Sequence, residues 1–168
     1  MLIVLRFLHI VAGVLWVGGV VFVAAFLMPS LRAVGPTAGA VMAQIGQVRK
    51  YPIFAMVQAT LVILSGIALI IEDSGAAPGS WMQSGAGRMF STGGALAILG
   101  AVLGMTLSSP AARKMGAIAG GVAKRGGAPT AEEAAEMQRL QAKVAGSTRV
   151  VAALLILATI AMAIARYS

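Results

Sequence analysis

Residues 5–28 read LRFLHIVAGVLWVGGVVFVAAFLM and decide the fold. From Phe7 to Met28 no side chain carries a formal charge. Wound as an α-helix at ~1.5 Å per residue, that run reaches about 33 Å, enough to cross a hydrocarbon core of ~30 Å. The same stretch holds His9, the one histidine of the protein. A cleaved signal peptide would show a shorter apolar region of ~7–15 residues behind a basic start. Only Arg6 stands there, so the stretch reads as a retained helix.

The rest of the chain agrees with a membrane setting. Of 168 residues 59% are hydrophobic and 11% charged, and the mean hydropathy is +0.92. A soluble domain carries about 25% charged residues. Apolar runs fall at residues 2–28, 51–71, 89–107 and 148–165, within a single four-span domain covering residues 1–168. Pro29-Ser30 reads as the close of the first, and Pro52 suits the first turn of the second, where a missing N–H goes unnoticed. The third is expected to end at Ser108-Ser109-Pro110, with Ser109 capping a new short helix that stops at Gly120-Gly121. Thr130 and Glu133 match a capping box, followed by good helix formers. The fourth span therefore begins as a cytoplasmic helical segment over residues 131–146, with Met137, Leu140 and Val144 on one face and Gly146 as a bend point. The expected fold is all-α: an integral membrane four-helix bundle, antiparallel, with the fourth helix extended into the cytoplasm.

The net charge of +8 sits between the apolar runs rather than in a nucleic-acid-binding stripe, so no nucleic acid is expected as a partner. Arg32, Arg49 and Lys50 give the first loop +3; Glu72, Asp73 and Arg88 give the second −1; the third carries +4. The positive-inside rule then places loops one and three in the cytoplasm and both termini outside. The expected location is a bacterial inner membrane. The absence of cysteine excludes disulfides, thiolate metal sites and iron–sulfur clusters.

Few residues offer chemistry. Arg6, His9, Gly13 and Trp16 follow one another at helical spacing and share a face. A polar side chain within a span is a functional hypothesis by default. His9 has two readings: a structural hydrogen bond across helices, or a haem, metal or quinone contact, with Trp16 and Arg6 completing a candidate cofactor face. Met82, Met89 and Met162 are thioethers that could join His9 around copper, since thioethers suit Cu(I); they also fill apolar gaps. Gly13, Gly18 and Gly19 suit close helix approach, with Gly66 as their answer in the second span. Gln58, Thr60 and Ser65 are expected to hydrogen-bond between helices, Trp81 to anchor the second loop at the interface. No Asp or Glu lies inside a span, and no nucleophile–base pair, P-loop, dinucleotide fingerprint or zinc motif is present. With a single histidine, haem ligation would be His–Met or shared between two chains.

The pattern Leu8-His9, Leu15-Trp16-Val17-Gly18-Gly19, an apolar run to Pro29, then Arg49-Lys50 and Ile63-Leu64-Ser65-Gly66-Ile67, is similar to the copper-resistance protein D superfamily and its four-helix relatives. More distantly it resembles HemJ-type protoporphyrinogen oxidases. The resemblance covers residues 5–70. The first likeness implies copper handling in the bacterial inner membrane. The second implies haem b held through His9, with a required basic residue that would be Arg49 or Lys50. From the residues themselves the leading expectation is a protein without catalytic activity of its own. It would be an accessory or structural subunit of a membrane assembly, or a homo-oligomer. The alternative is a haem b- or copper-binding protein with His9 as ligand.

Overall fold

A computed structural model describes residues 1–35 and 38–168, and all regular structure among them is helical. Helix α1 (Leu2–Phe22) passes through a π turn at Val23–Leu27 into α2 (Met28–Ala33). A short α3 (Ala38–Ala43) and a second π turn, Gln44–Val48, lead to α4 (Tyr51–Ser74). After α5 (Pro78–Gln83), α6 (Gly85–Leu103) runs through a third π turn at Gly104–Ser108 into α7 (Ser109–Arg125). The last helix, α8 (Ala131–Ile164), ends in a 3-10 turn at Ala165–Tyr167. Four stretches are long and apolar enough to cross a membrane: Leu2–Ala33, Tyr51–Ser74, Gly85–Arg125 and Ala131–Tyr167.

Three sequence readings are corrected here. Pro29 does not close the first helix, and Pro110 does not open a separate one behind a Ser109 cap; Ser109 is helical and the turn before it has no side-chain cap. In both places a π turn ends two residues before the proline. The Met28 N–H reaches back five residues to Val23 O, and the Ser109 N–H to Gly104 O. A proline in a helix lacks a donor and crowds the carbonyl four residues earlier. A wider local turn is one way a helix accommodates such a break in its ladder. The expected stop at Gly120-Gly121 is also overridden. The helix continues to Arg125 and ends at Gly126, whose φ of 67° is the left-handed conformation that favours glycine.

The capping box forms as expected. Thr130 Oγ1 accepts from the Glu133 N–H at 3.2 Å, and Glu133 Oε2 accepts from the Thr130 N–H at 3.0 Å. The helix then runs unbroken through Gly146. Its first half is not bare: Leu140 and Val144 are buried with Met28, Leu31, Ala111 and Met115, while Met137 lies against Gly39 of α3. Lys114–Glu136 and Arg125–Glu133 ion pairs, both at 2.7 Å, tie α7 to this half. A second core lies within the apolar spans, around Trp16, Val62, Ala97, Val151 and Leu155.

The outer faces of the spans are apolar. On α1, Ile3, Phe7, Ile10 and Val14 are exposed at alternating steps of four and three; on α4, Ile53, Val57, Leu64, Ile67 and Ile71 are exposed. Water would penalise such stripes, whereas lipid chains accept them. Helix α8 is the best enclosed, with 39% of its most apolar window buried against 11% for α4.

Candidate functional site around His9

The site is built where α1 meets α4. Four contacts run in order along the pair: Arg6 with Asp73, His9 with Gly66, Gly13 with Val62, and Gly19 with Tyr51. His9 is half-buried, and its Nδ1 lies 3.0 Å from Val62 O and 3.1 Å from Ser65 Oγ. A carbonyl oxygen only accepts, so this contact assigns the proton to Nδ1. Ser65, itself buried, donates its hydroxyl hydrogen to Leu61 O. In the neutral ring Nε2 is then the nitrogen with the free lone pair.

The ring lies across the backbone of Gly66. A Cβ added there would meet His9 Cε1 at 2.9 Å. Any side chain at 66 would therefore force the ring to shift. This corrects the expectation that Gly66 answers the glycines of α1. Those have separate neighbours: Val62 opposite Gly13, the Tyr51 hydroxyl opposite Gly19, and open space beside Gly18. Tyr51 had no signal in the sequence beyond its place at the start of a span; the partner it fills was visible only as a missing side chain.

The remaining candidate residues divide among several contacts. Arg6 is paired with Asp73 at 3.1 Å, at the end of the helices nearest the chain start. Trp16 is 5% exposed and packed in the apolar core, so it supplies no open wall beside His9. Met162 lies on another interface, against Gly93 of α6. Met82 is exposed on the short α5, and Met89 is half-buried near the start of α6. Among the described residues no group of three or more His, Asp or Glu is arranged to hold a metal ion. Arg49 and Lys50 precede α4, and Lys50 adopts a left-handed φ of 53°. Lys50 and Ser65 are fifteen positions apart, so the basic pair stands about 22 Å along the axis from the level of His9.

Thr60 of α4 is used differently from the expected interhelical hydrogen bond. Thr60 is exposed and donates to Met56 O of its own helix at 2.9 Å, the back-bonding that lets a hydroxyl face lipid without an unpaired donor. Trp81 stacks on Phe90 with ring planes 6° apart, pinning α5 to α6. Compared with protein families, with curated proteins and with solved structures, the chain finds no match.

Proposed function

We propose that the chain is an integral membrane protein without catalytic activity, an antiparallel four-helix bundle that works by packing. It acts as an accessory subunit of a larger membrane assembly or as a homo-oligomer in a bacterial inner membrane. The observation that supports this reading is the use made of the polar residues on α1. Arg6 is engaged by Asp73 and His9 by Val62 and Ser65, while Trp16 fills the core. Side chains so engaged hold two helices together. The apolar outer stripes of α1 and α4 remain for lipid or for neighbouring helices. The basic loops stand on the cytoplasmic side and both termini outside, by the distribution of Lys and Arg. The test is size and composition of the particle after extraction in mild detergent. A stable oligomer or a co-purifying membrane subunit is expected, and a lone monomer in every mild detergent would overturn the proposal.

A second reading, a haem b or copper protein, is favoured by one feature. A ligating histidine commonly donates its other ring N–H to a carbonyl, which fixes the ring and leaves the opposite nitrogen for the metal. His9 has this arrangement with Val62. The residues fit only one ligand position, because Trp16 is enclosed and Met162 belongs to the α6–α8 contact. Haem in this reading would take its second axial ligand from another chain. An absorption spectrum of oxidised and reduced protein, with metal analysis, separates the readings. A Soret band or stoichiometric copper lost in His9→Ala supports the second.

A further inference from the structure

Beyond the apolar spans, α7 and the first half of α8 leave an open cleft of about 280 Å³ between them. Pro110, Ala111 and Leu140 line it with carbon, and Lys114, Arg139 and Lys143 line it with positive charge. We propose that this cleft is a binding site for a phosphate anion, of the kind carried by an anionic lipid headgroup or by free phosphate.

Three cations face one carboxylate there. Glu136 lies between them, 2.7 Å from Lys114 Nζ and 3.7 Å from Arg139 Nη1. Lys114 beside it holds the Glu136 carboxyl below its ordinary range, so Glu136 is ionised at neutral pH and offsets one of the three positive charges. Glu136 steadies two of the cations and neutralises one charge. Lys143 makes no side-chain ion pair or hydrogen bond among the described residues, and the Arg139 side chain is 84% exposed. An anion entering the cleft meets three cations offset by one carboxylate, among them the planar Arg139 guanidinium, which is suited to phosphate oxygens.

Depth favours a ligand at the membrane surface. Pro110 is three residues past the apolar run that ends at Leu107, and Lys143 is seven before Val150. At ~1.5 Å per residue the cleft opens about 5–10 Å outside the hydrocarbon. Headgroup layers are about 5–8 Å thick on each side, and a lysine stem reaches several ångströms further. The carbon-lined wall and the charged wall together match a phosphodiester with its glycerol. A scatter of basic residues along a loop would offer charge without the adjoining apolar wall.

The test uses the full chain in mild detergent, with bound phosphatidylglycerol and phosphatidylcholine counted by native mass spectrometry. Preferential retention of phosphatidylglycerol is expected. The pair Arg139→Gln/Lys143→Gln should weaken it by about fivefold for each cation removed, about 25-fold together. Arg32→Gln/Lys124→Gln removes the same charge elsewhere and should change retention by less than about twofold, the small effect of charges remote from a bound anion. Equal loss in both pairs, or no preference between the two lipids and no displacement by phosphate, would overturn the site. Adding millimolar inorganic phosphate distinguishes the sources. Release of the lipid supports a free phosphate ligand, and retention supports the tethered headgroup. If the glutamine pair fails to fold, Arg139→Lys/Lys143→Arg carries the test, and its failure to retain the lipid would overturn the proposal.

Discussion

The α1–α4 and α6–α8 contacts join long apolar helices by different means. Between α1 and α4 the contact carries directional polar groups: an ion pair at Arg6–Asp73 and the His9 ring on Val62 and Ser65. Between α6 and α8 the contact is made by absence of side chain. Gly93 receives Met162 and the backbone at Ala158, and Gly100 receives Leu155 and Val151. In lipid there is no hydrophobic drive to bring helices together, so association relies on close packing and hydrogen bonds. This protein uses one of those mainly on each side. The packed pair contains the best enclosed helix, while the hydrogen-bonded pair contains the most exposed.

The comparison is broken most severely at Gly93. In Gly93→Leu the first added carbon would meet Met162 Cγ at 2.9 Å and Ala158 O at 3.1 Å, and the backbone oxygen cannot swing aside. Overpacking of this kind costs about 1–3 kcal/mol. The upper end of that range is expected, read as a lowered thermal midpoint in detergent. An unchanged midpoint would mean that the helices are not in close contact there.

At His9 a smaller, coupled effect is expected. His9→Ala removes an interhelical hydrogen bond worth about 0.6–1.7 kcal/mol in a membrane. Gly66→Ala in the parent protein drives a methyl against Cε1 and destabilises it. In the His9→Ala background that methyl enters vacated space, so the double variant should be less damaged than the sum of the two. Strict additivity would show that the ring does not lie on Gly66.

Arg6–Asp73 ranks below both, since each side chain is partly exposed at 44% and 32%. Surface pairs contribute about 0–1 kcal/mol and weaken with salt. Asp73→Asn should therefore lower the midpoint slightly at low ionic strength and not at all in high salt. A large loss in high salt would place the pair in a low-dielectric setting.

The smallest effect belongs to the tie between α7 and α8. The Thr130 N–H and the Arg125 guanidinium hold the Glu133 carboxyl below its ordinary 4.5. A depressed folded value means that the contribution is present above the unfolded value and is lost as pH falls through the folded one. Amide exchange over residues 125–136 should thus accelerate below about pH 4.5 and stay flat between pH 6 and 8. Acceleration on raising the pH from 6 to 8, corrected for intrinsic exchange, would contradict it.

The spans were legible because a run of apolar residues long enough for a bilayer has few other uses, and the Thr130–Glu133 box because its chemistry is local. Prolines were misleading for the same local reason. Pro29 and Pro110 look like stops when only adjacent residues are weighed, but a π turn ahead of each accommodates the break and lets the helix run on. Gly120-Gly121 lost to Gly126 because α7 is held from outside, by Gln47 on Gly116 O and by Arg125 on Glu133. His9 was recognisable as unusual from its type and place. Its partners were not, because the register between two helices is a tertiary fact: Gly66 carries no mark distinguishing it from a glycine kept for another helix.

The π turn at Val23–Leu27 also sets a phase. Ala12, Trp16, Val20, Ala24 and Met28 are all buried, each four residues after the last. On an ideal helix of 3.6 residues per turn, steps of four drift by about 40° each, so a buried stripe kept at that spacing slides steadily round the cylinder. One turn with an extra residue winds it back and returns Met28 and Leu31 to the inner side. Chain length here is thus an angular quantity. Winding 23–27 as ordinary α-helix with every residue kept would swing everything beyond it by about 100° and carry Leu31 out of the core at the basic end. Deleting a single residue from 23–27 would instead close the wide turn, convert the Met28–Val23 bond to four-residue spacing and leave that phase nearly unchanged.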